Sequence, residues 1–255
     1  MKKIITIIAA LLFVSIVAVS QDTLYIYKSG TVVYQRAVSA IDSIIFYQVA
    51  SNPFICGTST ITDINSNTYN TVSIGGQCWM KENLKTTKYS DNTAIPNITN
   101  STTWSNLSTG AYCNYSNTPS NANTYGRLYN WYAVTDTHNI CPTGWHVPSD
   151  AEWTTLTTYL GGESVAGGKL KETGTTHWQS PNAGATNETG FTALPGGNRY
   201  DNGAFYSLGS YGFWWSSTES TTDVAWNRGM SYNLSNVDRG SSTEVDGFSV
   251  RCVKD

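Results

Sequence analysis

Between residues 226 and 239 the chain gathers Trp226, Asn227, Arg228, Tyr232, Asn236, Asp238 and Arg239. Aromatic faces stack on the apolar C–H face of a pyranose, while planar amides and charged groups bond its hydroxyls. Apolar walls with a few convergent polar groups are the usual make-up of a small-molecule site. These seven residues are therefore the candidate ligand-binding surface, and a glycan is the candidate ligand. Trp131, Trp145, Trp153 and at least one of Trp214 and Trp215 read instead as core, where aromatics dominate the energetics.

Catalytic chemistry finds less to work with. The histidines are His138, His146 and His177. His146, in GWHVP just before a helix start, reads as a hydrogen-bonded packing residue. No GxSxG nucleophile elbow is present, and no glycine motif that cradles phosphate. Glu172 and Glu188 are the carboxylates a glycosidase would pair, but nothing in the sequence fixes their separation. The cysteines, Cys56, Cys78, Cys113, Cys141 and Cys252, include no CxxC and no accompanying histidine cluster, which argues against zinc. The reading is of a non-enzymatic protein, with no catalytic residue, metal ligand or cofactor assigned.

Composition supports a folded, polar, weakly charged molecule. Of 255 residues, 13% are charged and 13% aromatic, against about 25% charged in ordinary soluble proteins. So many aromatics with so little net charge exclude a disordered polyelectrolyte. The absence of a Lys/Arg excess argues against a nucleic-acid partner. Lys2 and Lys3, an apolar run from Ile4 to about Val19, and small residues at Ala18 and Ser20 describe a signal peptide over residues 1–20. Its removal lowers 15 basic residues to 13 against 18 acidic ones, a formal charge of −5. No later stretch resembles a membrane span, so the mature chain is expected to lack a transmembrane segment. A secreted or cell-surface location follows, and with it cysteines that form disulfides.

These residues need elements to hold them. Residues 21–50 form a short β module with apolar clusters at 24–26, 32–34 and 41–46 and a turn at Ser29-Gly30. Residues 51–57 read as a linker and 58–255 as one domain. Thr71–Ile74, Gly75-Gly76 and Gln77–Met80 read as a hairpin. The strongest helix signal spans 149–160, with Ser149 as N-cap, Glu152 completing a capping box, and Trp153, Leu156 and Leu160 on one face. A second helix is expected over 125–134 and a short third from Val165 to Lys171, the latter weakened by Gly167-Gly168. Short strands are expected at 191–194, 212–216, 225–232 and 247–253.

Six stretches carry a resemblance when taken in order: TVSIGGQCWMKENLKT (71–86), YGRLYNWYAV (125–134), CPTGWHVPSDAEWTTL (141–156), FTALPGGNR (191–199), WWSSTE (214–219) and GFSVRCVKD (247–255). Together they resemble the Fibrobacter succinogenes major paralogous domain family, secreted or surface proteins frequent in Bacteroidetes and Fibrobacteres. The resemblance implies an α+β, C-type-lectin-like fold related to the sulfatase-modifying factors. Two main helices would flank small antiparallel sheets, with a long loop region. It also implies a Cys141–Cys252 bond like the lectin bond between helix region and last strand, with Cys56 as competitor for Cys252. Cys78 is expected to pair with Cys113.

Lectin relatives hold Ca²⁺ through side-chain oxygens, and hard cations need several of them. Glu219, Asp223, Asp238, Glu244 and Asp246 are available, and Trp226-Asn227 echoes the lectins' Trp-Asn-Asp motif. Arg228, however, replaces the expected acid, and the five acids read as solvated, with calcium an alternative only. A sulfatase-modifying-factor-like oxidase would need a reactive cysteine pair, and none can be matched. The expectation is a binding domain whose partner is a glycan or an extracellular surface protein. An assembly subunit is the alternative, since lone strands in 21–50 would invite strand addition.

Overall fold

The computed structural model describes residues 7–9, 12–14, 23–28, 31–37 and 53–255. It divides into two compact units, Met1–Pro53 and Phe54–Asp255. In the first, β1 (Ile7–Ala9) pairs with β2 (Leu12–Val14), and β3 (Thr23–Lys28) pairs antiparallel with β4 (Thr31–Ala37). The first two strands of the expected module are thus present. The Ser29-Gly30 turn, the 41–46 cluster and most of the segment read as a signal peptide lie outside the described residues. All seven residues of β4 are exposed.

The second unit is α+β, built on two five-stranded sheets. The first contains β5 (Thr60–Thr62), β6 (Thr68–Ile74), β7 (Gln77–Met80), β10 (Trp145–His146) and β16 (Val253–Lys254), in the order β10-β16-β7-β6-β5. The second runs β12-β11-β13-β14-β15, from β11 (Gly196–Arg199), β12 (Phe205–Leu208), β13 (Tyr211–Thr221), β14 (Val224–Ser231) and β15 (Asp238–Thr243). A small ribbon joins β8 (Tyr112–Cys113) to β9 (Leu128–Tyr129). Five helices accompany them among the described residues: α1 (Ser101–Ser105), α2 (Asn121–Tyr125), α3 (Trp131–Val134), α4 (Asp150–Tyr159) and α5 (Glu163–Leu170). None is long and apolar enough to cross a membrane.

The β6–β7 hairpin follows from its turn. Gly75 and Gly76 both take positive φ, 59° and 82°, as a tight two-residue hairpin requires. Gly75 also leaves room for Tyr159, whose ring carbon would lie 2.7 Å from an added Cβ. Helix α4 begins as its sequence predicts. The Ser149 side chain accepts from the Glu152 N–H, and the Ser149 N–H donates to Glu152 Oε2 at 2.8 Å. Its buried stripe, Trp153, Leu156 and Leu160, packs on Trp79, Phe191 and Trp214.

The expected helix over 125–134 does not form. Gly126 takes φ 78° and ends α2, because its backbone is pressed against Asn83. Leu128 and Tyr129 then run extended, and Tyr129 exchanges both backbone hydrogen bonds with Phe248. Only Trp131–Val134 coils, capped by Asn130. Long-range pairing has overridden local propensity here. The second substantial helix is instead α5. Its Gly167 and Gly168 let two loops dock, since Cβ atoms there would lie 2.0 Å from the Asn236 carbonyl oxygen and 2.3 Å from that of Gly184.

Cysteine pairing is half as expected. Cys141–Cys252 is present, with Cα atoms 6.0 Å apart across 111 residues of sequence; closing so long a loop stabilises by about 4–5 kcal/mol in the chain-entropy account. The Cys78–Cys113 expectation is corrected: Cys78 bonds Cys56 and Cys113 is a free, buried thiol. The reason is layering. Cys113 packs with Trp104, Ala111 and Leu128, while Cys78 sits on β7 of a different sheet. Burial pushes the Cys113 thiol up to about 12. Residues 54–57, read as linker, lie in the compact unit, with Phe54 edge-on to Trp145 at 5.9 Å.

Three buried cations tie the long loops down without any carboxylate. Lys171 Nζ donates to the carbonyls of Ala183, Ser231 and Leu234 at 2.7–2.9 Å. Arg199 donates to those of Gly203, Ile98 and Thr99. Arg251 donates to Phe191 O, Thr192 O and the Asn83 side chain. Charge-assisted hydrogen bonds of this kind are the strong ones, which is how a chain with few charges orders so much irregular backbone.

Candidate functional site

The 226–239 group lies on β14, β15 and the turn between them. The register pairs Arg228 with Arg239 and Trp226 with Ser241, so alternate residues share the face toward α4. There the Asp150 carboxylate accepts from Arg228 Nη1 at 2.8 Å and from Arg239 Nη2 at 2.8 Å. The Arg239 guanidinium lies 3.4 Å over the Trp226 ring. Burial raises the Asp150 carboxyl, but the two arginines outweigh it and hold the group below the usual carboxylate range. Arg228 is fully buried. Asn227 is buried on the opposite face, donating to Ser242 Oγ at 3.0 Å. Asn236 donates to Asp238 in the turn. Tyr232 packs against the core cluster that holds Trp214 and Met230. The structure brings Trp226, Arg228 and Arg239 together and engages them with one another and with Asp150, leaving Arg228 Nε and, in the turn, Asn236 Oδ1 without a partner. Tyr232 and Asn227 lie apart from them.

Each histidine meets a carboxylate. His138 Nδ1 lies 2.5 Å from Asp136 Oδ1. His146 bridges Glu152 Oε1 at 2.9 Å and Asp255 Oδ1 at 2.6 Å. His177 Nδ1 lies 2.8 Å from Glu172 Oε2, with the Tyr125 ring edge-on at 5.7 Å. Glu172 is therefore engaged by His177, while Glu188 pairs with Lys169 at 3.1 Å. Of the acids considered for calcium, Glu219 and Asp223 lie close enough to Glu244 to reinforce the upward shift that burial gives it. Among the described residues, no group of three or more His, Cys, Asp or Glu side chains is placed to hold a metal ion. A pocket of about 200 Å³ opens beside Ile61, Asp63, Ile64 and Pro142. Asp63 is fully occupied there by the N–H groups of Asn65 and Asn67, the Asn67 amide and the Tyr69 hydroxyl.

Exposed aromatic surface lies elsewhere, on the β11–β12 hairpin. Asn198 stands directly across from Tyr206, and the Tyr200 N–H donates to Ala204 O at 2.9 Å. Asn198, Tyr200 and Tyr206 therefore share one face. Tyr200 and Tyr206 are 44% and 45% exposed, with ring centroids 5.0 Å apart. Arg199 and Phe205 point the other way, the Arg199 guanidinium lying between the Phe205 and Trp104 rings. Beneath the turn, the buried Asp246 carboxylate accepts from the Asp201 N–H at 2.7 Å. Sequence reasoning missed this hairpin. Its signal was available: Asp201-Asn202-Gly203 is a turn sequence between alternating strands.

Five of the six motifs meet at one buried point. Asn83 Oδ1 accepts from Trp214 Nε1 and from Arg251 at 2.8 Å, and its amide donates to Tyr125 O and Ser249 Oγ; Phe191 lies under the Arg251 guanidinium at 4.0 Å. The sixth contributes Trp153, which packs on Trp79 at 4.8 Å. The motifs thus encode the packing of the domain. No curated protein and no solved structure matches the chain. The Fibrobacter succinogenes major domain model matches residues 72–254, spanning these motifs from the β6–β7 hairpin to the last strand, and the chain belongs to that family.

Proposed function

We propose that this is an exported, non-catalytic binding domain with a C-type-lectin-like arrangement of its α+β elements, and that its ligand is a glycan. The observation that carries the reading is the exposed Tyr200–Tyr206 pair on a fixed hairpin, a surface suited to stacking on sugar rings. The weakly charged, amide-rich composition fits an uncharged polyhydroxylated ligand, and two disulfides accord with an oxidising compartment. Against an oxidase of the sulfatase-modifying type stand four cysteines already paired and a fifth whose thiol is buried. Glycan-array screening of the purified chain, with and without EDTA, tests the reading. Binding that survives EDTA is expected; no binding to host, plant or bacterial glycans would sink it.

A second reading, a subunit of a surface assembly, is favoured by β4. Its Val32, Val33 and Tyr34 are 41%, 57% and 45% exposed, and an exposed strand of this kind can add another chain's strand. Size-exclusion chromatography of the chain and of its Val33→Lys variant decides it. Assembly predicts a larger species that the variant loses, whereas monomers in both remove the idea.

A further inference from the structure

The β11–β12 hairpin combines a platform, an unmet hydrogen-bonding group and a charge pattern. The platform is the tilted Tyr200–Tyr206 pair. It is fixed from behind, because Arg199 exchanges both backbone hydrogen bonds with Gly247 at 2.7–3.0 Å and its guanidinium collects three carbonyls. The unmet group is Asn198. It is 1% exposed, yet neither its Nδ2 nor its Oδ1 has a partner in the protein. An amide offers two donors and an acceptor with two lone pairs, and buried polar groups left so are uncommon enough to need an explanation. Asn198 stands cross-strand from Tyr206, on the same face as both tyrosines. As for charge, Asp201 lies exposed in the turn with Asp246 buried beneath it, while Arg199 is spent on carbonyls. None of these three groups would neutralise an anion.

From this juxtaposition we infer that the Asn198–Tyr200–Tyr206 face is the sugar subsite and that it takes a neutral pyranose, stacked on the two tyrosines, with a ring hydroxyl bonded by the Asn198 amide. The inference rests on the glycan reading above and narrows it to one place and one chemical class. The exposed Asp201 carboxylate disfavours uronic acids and sialylated glycans. The 226–239 group is left outside the site.

Isothermal titration of the purified chain with neutral oligosaccharides (cello-, xylo-, manno- and chito-oligosaccharides) and with polygalacturonate tests it. Binding of at least one neutral oligosaccharide and none of polygalacturonate is expected. Tyr200→Ala and Tyr206→Ala should each weaken it at least tenfold. Asn198→Ala should weaken it about fivefold or more with an unchanged or raised Tm, because the amide it removes makes no bond within the protein. That pairing of lost affinity with kept stability is what a purely structural asparagine would not give. Trp226→Ala should bind as the wild type. If a neutral oligosaccharide binds but the hairpin variants keep full affinity, or Trp226→Ala loses it, the site is overturned and the glycan reading stands. Preference for polygalacturonate overturns the neutral class. If the unaltered chain binds no oligosaccharide, the glycan reading itself fails, and the subsite with it.

Discussion

Two surfaces of one sheet carry similar residues and differ in whether those residues are spoken for. On β14 and β15, Trp226 is covered by Arg239, and Arg228 and Arg239 converge on Asp150. At the opposite edge, on β11 and β12, Tyr200 and Tyr206 are open and the Asn198 amide is unpartnered. Composition alone favours the first region, since it holds a tryptophan, two arginines and three asparagines within fourteen residues. Geometry favours the second. Residue types that recognise ligands are also those that build polar cores; Arg228 Nε and Asn236 Oδ1 lack partners in the first region too, and what sets the second apart is an amide free at both atoms beside exposed rings.

The largest expected effect breaks the closed region. Asp150→Ala leaves Arg228 buried without its counter-charge, with its Nε already lacking a partner. Removing one member of such a pair costs about 3–5 kcal/mol, read as a loss of Tm. Arg228→Met, which removes the buried charge itself, should cost less. A smaller loss for Asp150→Ala than for Arg228→Met would show that the ion pair does not govern this region. Acid should reproduce the first effect. Asp150 is held below the usual carboxylate range, so its contribution is complete above that range and is lost as pH falls through its own lower value.

Next comes the open region, where titration runs with the opposite sign. Burial, aided by the charge of Asp201, pushes the Asp246 carboxyl up to about 7 against the Asp201 N–H, which favours the ionised form. The unfolded chain releases this proton near pH 4, so the folded chain holds the extra proton between about 4 and 7. Stability therefore falls as pH rises through that window and is level above it. Asp246→Asn keeps an acceptor for the Asp201 N–H without the charge. It should flatten the decline and raise stability at pH 8 by about 2 kcal/mol, measured by urea denaturation across pH. An unchanged slope would remove Asp246 as its source.

How much of this was legible in the sequence depended on range. Helix α4 was readable because its capping box and apolar stripe are local, and the β6–β7 turn because Gly75-Gly76 admits few alternatives. The break at Gly126 was not, since it depends on Asn83, far away in sequence, pressing on that backbone. Cys78 was assigned the wrong partner because nothing local distinguishes Cys56 from Cys113; the sheet each belongs to does. The 226–239 group was legible as a cluster, but its closure on Asp150 needed the α4 N-terminus to meet β14. Tyr200 and Tyr206 flank a readable Asp201-Asn202-Gly203 turn, but that they share an exposed face depends on the strand register.

A smaller pH effect tests whether the α4 N-terminus behaves as one closed unit. Burial pulls the His146 imidazole down, but hydrogen bonds and charge from Asp255 and Glu152 more than offset it, leaving its pKa above the ordinary value. Its stabilising contribution is therefore full below the ordinary histidine pKa and is lost as pH rises through the folded value. His146 and Asp255 are each more than a third exposed, which limits the contribution to under about 1 kcal/mol. His146→Gln should remove that slope in the window just above the ordinary histidine pKa. A slope that persists in the variant would have to come from another group.

The smallest change concerns how firmly Trp226 is covered. Arg239 Nε and Nη2 both reach Asp150 while the guanidinium plane lies over the indole. Lysine keeps the charge but has no planar fork with which to make both contacts at once. At so exposed a position, Arg239→Lys should cost only about 0.5–1 kcal/mol. Its use is diagnostic, because it uncovers the indole without unfolding anything. If Trp226 is a ligand platform held shut by Arg239, the lysine variant gains oligosaccharide affinity. If the region is closed for structural reasons, indole fluorescence shifts as the ring meets water and affinity does not move. The second outcome is expected, because Arg228 and Asp150 remain paired and the lysine variant uncovers the indole alone.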